Sequence, residues 1–403
     1  MTPTTTMSVS INDLKNALVC VRPCVANSAG DITSHYVFRP HEEDGMAVYG
    51  WSGKTFAFAP ISGTTYDGVE AFTIEAKRLD QWVSTLSDSA VVEFAFTDGT
   101  VVAKAPRGKN IFQSLDPASF PWWDTLWESS KETGKVRADL FRSAINHSRP
   151  FICDDETRQP KLCVLECKDG MLRSTDLTAM NRTTVPGLTD CTVRLHGKDL
   201  GALNSFLALQ GDGEVTIYET DRAQFFGTLD GKGAVFGESR PISAFPNVKV
   251  DGSYVESWEL DKTETLSAIK FLASGASWDD NTITLTRNGA EVVLSMASTT
   301  GDMLEQPIQA GIETQTDDDV FTYNVSRLHL TRLLTLCSAD SVYIKANQTD
   351  KNGWILIEEK DAEGFEFSTA ITWLYSRQKT TSVNTNVSAG VANPNTGAVE
   401  TSA

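Results

Sequence analysis

Twelve cations stand in six short stretches of this chain with helical apolar spacing: Lys15, Arg22, Lys77, Arg78, Arg137, Arg142, Arg149, Lys198, Lys262, Lys270, Arg327 and Arg332. The same stretches hold only five carboxylates, Asp13, Asp80, Asp139, Asp199 and Glu264, although the whole chain of 403 residues carries a net charge of −18. Lys and Arg gathered on helices in an otherwise acidic protein suit one chemistry: contact with phosphate oxygens, which carries no sequence information and weakens with salt. Taken singly, each cation is equally an ordinary residue of a solvated helix face; the collective bias carries the argument. The negative sum excludes coating of DNA or of an anionic membrane by the whole surface, so any contact with nucleic acid is expected to be local.

Covalent and metal chemistry find little support. The five histidines, His35, His41, His147, His196 and His329, do not pair with one another or with a nucleophile, and there is no Walker-type glycine loop, no GxSxG and no HExxH. His196, near Lys198 and Asp199, is read as opening a helix and His329 as sitting on one, both in structural roles. Asp317-Asp-Asp319 is a run of adjacent acids of the kind that is solvated in a loop rather than converging on one ion. Cys20, Cys24, Cys153, Cys163, Cys167, Cys191 and Cys337 lack paired CxxC spacing and are read as reduced, buried thiols. No enzyme activity, no cofactor and no metal is expected.

The elements that position the cations repeat. Helices are predicted over Ile11 to Arg22 and Ala76 to Leu86, Arg137 to Arg149 and Lys198 to Leu209, and Lys262 to Leu272 and Ser326 to Leu336, with start-to-start offsets of 65, 61 and 64 residues. Leu14, Leu18 and Val21, and Leu328, Leu330, Leu333 and Leu334, supply apolar faces, and Ser10 and Ser326 are placed as N-caps. Between the helices lie alternating runs such as Ala90–Phe96, Glu214–Tyr218, Thr282–Leu285 and Trp354–Ile357, bounded by Asp98-Gly99, Asp212-Gly213 and Asn288-Gly289. The phrases Pro117-Ala-Ser-Phe-Pro121 and Ile242-Ser-Ala-Phe-Pro246 place their last prolines 125 residues apart, the size of a compact domain. The fold class is therefore α+β, with three repeated domains, each with two helices packed on antiparallel sheet: residues 1–125, 126–253 and 254–376, followed by a Ser/Thr/Asn/Gly/Ala-rich tail, 377–403, expected to be disordered. If the six helices line one side of a ring, its inner wall is basic and its exterior acidic, an arrangement that confines a duplex without gluing it down.

Hydrophobic residues at 40%, with nine Trp and 19 Phe, suffice for two or three cores. No apolar run approaches the ~20 residues that span a bilayer, and the start lacks the features of a signal peptide, so a cytoplasmic protein without membrane contact is expected.

Over roughly residues 7 to 375 the chain resembles the beta sliding clamp, the processivity subunit of bacterial replicative DNA polymerase. Gly108-Lys-Asn-Ile-Phe-Gln-Ser-Leu-Asp-Pro-Ala-Ser-Phe-Pro121 is similar to the strand and Phe-Pro phrase that close the family's first domain, and Leu140-Phe-Arg-Ser-Ala-Ile145 with Met171-Leu-Arg-Ser-Thr-Asp176 to a helix and strand of the second. Tyr323-Asn-Val-Ser326 leading into Leu333-Leu334 is similar to the phrase that opens the last helix. The resemblance implies a head-to-tail homodimer whose six domains enclose double-stranded DNA, with no catalysis, tethering a replicative polymerase and accepting a clamp loader through a short peptide motif. It places Lys77, Phe112 and Leu115 on one side of the dimer interface and Phe271, Leu272, Asp302 and Glu305 on the other. It places the peptide pocket at Thr175, Asp176, Leu177, Arg182, Pro246, Val248, Ile371, Thr372 and Trp373. The chain departs from the family in three respects. Arg182 stands six residues beyond Asp176 instead of three, Ile371-Thr-Trp-Leu374 replaces the usual ending, and the tail runs on beyond it. Such divergence suits a phage- or plasmid-borne clamp. The competing reading is a β-rich structural or assembly protein of a virus, with no role that depends on DNA topology.

Overall fold

One order of elements is used three times. The structure is a computed structural model that describes residues 5–372 apart from 28–29, 42–44, 69–70, 98, 122–128, 158–159, 177–178, 189–190, 221–222, 238–253, 276–280, 298–301, 315–319, 338, 348–353 and 361–365. The first run is β1 (Thr5–Ser10), α1 (Ile11–Val21), β2 (His35–His41), β3 (Gly45–Trp51), β4 (Thr55–Ile61), β5 (Thr65–Asp67), β6 (Phe72–Glu75), α2 (Ala76–Ser84), β7 (Val91–Thr97), β8 (Thr100–Ala105) and β9 (Gly108–Gln113). The second is β10 (Lys131–Arg137), α3 (Ala138–Ser148), β11 (Val164–Lys168), β12 (Met171–Thr175), β13 (Ala179–Thr184), β14 (Val193–His196), α4 (Leu200–Ala208), β15 (Glu214–Glu219), β16 (Ala223–Thr228) and β17 (Gly233–Gly237). The third is β18 (Tyr254–Asp261), α5 (Lys262–Gly275), β19 (Thr282–Asn288), β20 (Glu291–Ala297), β21 (Met303–Ile308), β22 (Ala310–Thr314), β23 (Val320–Ser326), α6 (Arg327–Leu336), β24 (Ser341–Asn347), β25 (Trp354–Lys360) and β26 (Glu366–Thr372). The α+β class holds. The expected boundaries near 125 and 253, the second Phe-Pro phrase, Asp317–Asp319 and the tail lie outside the described residues.

Local chemistry explains where the helices start. Ser10 is extended and its hydroxyl accepts from the Asp13 amide at 3.1 Å, and Ser326 does the same for His329 at 3.4 Å, each satisfying a helix donor that has no intrahelical partner. Behind these caps run apolar stripes at helical spacing. Ile11, Leu14, Leu18 and Val21 are buried on α1, Phe141, Ala144 and Ile145 on α3, and Leu330, Leu333 and Leu334 on α6. Leu328, expected on the core face, is half-exposed, because it lies on the side of the helix turned away from that stripe. Hairpin turns fall where predicted at Gly99 and Gly289, both with φ above +60°. Asp212-Gly213, read as such a turn, instead links α4 to β15.

Four antiparallel sheets result, and their order shows how the runs join. The order β10-β15-β16-β17-β4-β3-β2-β6 carries a single sheet from the second run into the first, with Val235 opposite Phe56. The order β14-β11-β12-β13-β26-β25-β24-β18-β22 does the same for the second and third, with Ala179 opposite Ile371. The remaining sheets, β5-β1-β7-β8-β9 and β21-β20-β19-β23, have β9 and β21 among their edge strands, with no further strand beside either among the described residues. One continuous core fills the first two runs and a second fills the third. Phe120, from the first Phe-Pro phrase, is buried against Trp51 and Phe56 in a smaller cluster that also includes Ala223 and Phe225, so this phrase fastens the first run to the second.

Candidate nucleic-acid interface

The six helices among the described residues make one row. α2 packs on α1, α1 on α4, α4 on α3, and α6 on α5. Between α3 and α6 the His147 ring nitrogen Nε2 lies 2.7 Å from the Leu336 carbonyl oxygen. The helices bury their apolar stripes against strands or, for α4, chiefly against α3, and leave their polar faces exposed.

Ion pairing divides the twelve cations. Lys15 pairs with Asp88 at 2.7 Å, Arg22 grips Asp80 through Nε and Nη2 at 2.8 and 2.9 Å, Arg137 pairs with Asp139 at 2.6 Å and Lys198 with Glu156 at 2.6 Å. Lys262 donates to the Cys337 carbonyl at 3.0 Å, and Arg327 is half-buried. Lys77, Arg78, Arg142, Arg149, Lys270 and Arg332 are exposed with no carboxylate in ion-pair distance among the described residues. Arg78 also lies over the Phe112 ring, 5.5 Å from its centre. Four cations assigned to helices stand at their ends instead. Arg22 and Arg149 cap the C-termini of α1 and α3, Arg137 precedes α3, and Lys198 lies two residues before α4. His196 closes β14 rather than opening a helix.

The pairs leave their mark on proton affinity. The hydrogen bond from Arg137 holds the Asp139 carboxyl below the usual carboxylate range, and the bond from Lys198 does so for Glu156. Burial raises Asp199 above that range and lowers His329 on α6. Asp176 of the second run faces His329 and opposes part of that depression, while Arg332 adds to it. This approach across the junction has no signature in the sequence, because the two residues are far apart in the chain.

The expected interface residues divide between the regions of the edge strands β9 and β21. Phe112 on β9 is fully buried, its ring edge-on to Trp82, and Leu272 on α5 is fully buried in the third core, so both are intradomain core and neither offers a surface. Leu115 is half-buried, its amide donating to the Thr73 hydroxyl at 2.7 Å. Lys77, Asp302 and Glu305 are exposed, and Phe271 is 53% exposed. Two large apolar side chains escaped the sequence reading: Ile111 on β9, 46% exposed, and Met303 on β21, 58% exposed. The signal was present as an alternation, since Ile111 faces away from the sheet side that buries Phe112.

At the expected peptide pocket, Thr175 is fully buried and its hydroxyl donates to the Ala179 carbonyl at 2.7 Å, while Asp176 accepts from the Ala179 amide at 2.7 Å. These residues close the β12–β13 hairpin, and the buried Thr175 cannot line a pocket. Arg182 lies opposite Arg173 on one neighbour strand and Ser368 on the other. The β13–β26 pairing brings this hairpin beside Ile371 and Thr372. Leu177, Pro246, Val248 and Trp373 lie outside the described residues.

No family model matches the chain, and no curated protein does. Solved structures match over nearly its whole length. The DNA polymerase III subunit beta of Pseudomonas aeruginosa is 14% identical with a TM-score of 0.76, covering 92% of this chain and 100% of that one. A DnaN sliding clamp from the same organism bound to griselimycin has a TM-score of 0.78 at 14% identity, with 93% and 100% covered. The Caulobacter crescentus beta sliding clamp has 0.76 at 14%, with 94% and 100% covered. The chain therefore has the fold of these proteins. Among its described residues no helix is long and apolar enough to cross a membrane, and no group of three or more side chains is placed to hold a metal ion.

Proposed function

We propose that this chain is a DNA sliding clamp: a ring that encloses duplex DNA without sequence preference and tethers a replicative polymerase to it, performing no catalysis. The observation that carries the proposal is the pair of unpaired edges, β9 and β21, at the two ends of a molecule whose internal joints are strand pairings. β9 holds in its run the place that β17 and β26 hold in theirs, and β21 the place of β4 and β13. Because β17 joins β4 and β26 joins β13, antiparallel addition of β9 to the β21 of a second copy repeats the same joint a third time and turns a row of helices into a closed circle. Ile111 on one edge and Phe271 and Met303 on the other would then lose their exposure to water. Lys77 on α2 and Asp302 and Glu305 at β21 are opposite in charge.

Closure as a homodimer puts the exposed cations of the helix row on the inside, where phosphate contacts are mobile and the low affinity of each permits sliding. Function then comes from topology: a polymerase bound to an enclosing ring re-engages its template intramolecularly. Polymerase and clamp loader dock by a short peptide at the junction of the second and third runs, beside the β12–β13 hairpin. Nothing favours the reading as a virion assembly protein.

The test loads the protein onto nicked circular DNA with a loader and passes the mixture over a sizing column. Retention on the circle and loss when the circle is cut once are expected. Equal retention on linear and circular DNA, or a monomeric mass at micromolar concentration in light scattering, refutes the ring.

A further inference from the structure

Three pairs of cysteines lie close enough to influence one another's protons: Cys20 with Cys24, Cys167 with Cys191, and Cys153 with Cys163. Both members of the first two pairs are buried, and none of the seven cysteines is in a disulfide. Burial pushes Cys20, Cys24 and Cys167 up to about 12, and the Cys191 thiol is committed to the Thr133 carbonyl at 2.9 Å. These are inert core groups.

The third pair differs. Cys153 is half-exposed, Cys163 is buried, and the two residues are neighbours in space. The backbone holds them there. The Cys153 amide donates to the Leu162 carbonyl at 3.0 Å, and the Asp155 amide points at the Cys153 sulfur at 3.4 Å. The Cys163 carbonyl accepts from the Gly197 amide at 2.8 Å, which ties this residue to the turn bearing His196 and Lys198. Three residues after Cys153 stands Glu156, whose carboxylate takes Lys198 at 2.6 Å and His196 at 3.1 Å. The dithiol is thus the foot of the short segment that neutralises one of the twelve cations.

We propose that Cys153 and Cys163 close reversibly to a disulfide, fastening segment 153–157 in the arrangement in which Glu156 covers Lys198. Because the Cys153 amide is already bonded to the residue before Cys163, the bond forms with little movement of the backbone. The partner is a low-molecular-weight disulfide. The Cys153 thiolate, the accessible one, attacks one sulfur of that disulfide and expels the other as a thiolate. The Cys163 thiolate then attacks the Cys153 sulfur of the mixed disulfide and expels the second small thiolate. The two protons released by the cysteines end on the two departing thiols, and the protein's dithiol is oxidised as the small disulfide is reduced. Burial, with Asp154 and Glu156 nearby, pushes the Cys163 thiol up to about 11, and its fixed position next to the mixed disulfide offsets the scarcity of its thiolate. When reduced, the segment is free to leave Lys198. The bond itself does not depend on the ring; only its consequence for DNA contact rests on that reading.

The test equilibrates the full chain in glutathione buffers from fully reduced to fully oxidised, traps free thiols with iodoacetamide and maps linked peptides by mass spectrometry. In parallel, the rate of Lys198 acetylation by an activated ester is measured. Expected are one linkage, Cys153 to Cys163, with the other five cysteines alkylated, and a several-fold slower acetylation of Lys198 in the oxidised protein. Cys153→Ser and, separately, Cys163→Ser remove both effects. Persistently free Cys153 and Cys163, a different linkage, or Lys198 labelling that ignores the redox state overturns the proposal. Neither readout involves DNA, so failure here is distinct from failure of the ring.

Discussion

Removing Arg142 and Arg332 together tests whether ion pairing decides which helix cations reach DNA. Both are exposed and without a carboxylate partner among the described residues, so each is counted as one phosphate contact. Every contact contributes about −0.9 to the slope of log affinity against log salt, and the Arg142→Ala/Arg332→Ala variant should flatten that slope by about 1.8. Between 50 and 200 mM salt each contact costs roughly 3.5-fold, so the variant should lose about 12-fold less affinity than the native protein over that range. The comparison is Lys15→Ala/Asp88→Ala, which deletes a cation together with the carboxylate it holds at 2.7 Å and should leave the slope unchanged to within a few tenths. The assay is fluorescence anisotropy with a short linear duplex, titrated at several salt concentrations. If deleting the Lys15–Asp88 pair flattens the slope as much as deleting the two arginines, pairing does not select the contacts. If neither change matters, the helix row does not face DNA.

Three further outcomes follow from the same geometry. Ile111→Glu or Met303→Glu should shift the light-scattering mass toward the monomer. Each side chain is about half exposed and occurs twice in a two-joint ring, so the lost burial is worth roughly 1.5–3 kcal/mol, or about 10- to 150-fold in self-association. Leu229→Glu, at a 90% exposed hairpin tip, should change nothing. Arg287 and Glu256 form a fully buried bidentate pair at 2.8 and 2.7 Å, and the Trp258 indole also donates to Glu256. Arg287→Met should cost roughly 3–5 kcal/mol in urea unfolding, and adding Glu256→Gln should recover part of it, because a neutral amide still accepts from Trp258. Finally, burial holds the His329 proton affinity below its ordinary value of 6.5. The unfolded chain therefore binds this proton more readily, so the contribution is intact above 6.5 and is lost as pH falls from 6.5 through the folded value. His329→Gln should flatten the stability profile over that window.

Much of the architecture was legible because it rests on local rules. Ser10 and Ser326 cap helices where their hydroxyls can take an orphan amide, and Leu14, Leu18 and Val21 share a face because 3.6 residues make a turn. The offsets between helices survived as well, since each run repeats one order of elements. Errors gathered at helix ends and on single side chains. Lys198 fell before α4, Leu328 turned outward, and Phe112 and Leu272 went into the core rather than onto a surface. Apolar residues of these kinds serve core and interface alike, and only the packing around them separates the two.

Composition and pattern by themselves determined an acidic α+β chain built three times over, with its cations gathered on helices. Tertiary structure decided which six cations have no carboxylate partner and that β9 and β21 are open edges among the described residues, that the helices form one row, and that Cys153 meets Cys163. The reason is physical: helix propensity and periodicity act over neighbours in the chain. An ion pair such as Arg22–Asp80, or an unpaired strand edge, depends on residues brought together only when the sheets close.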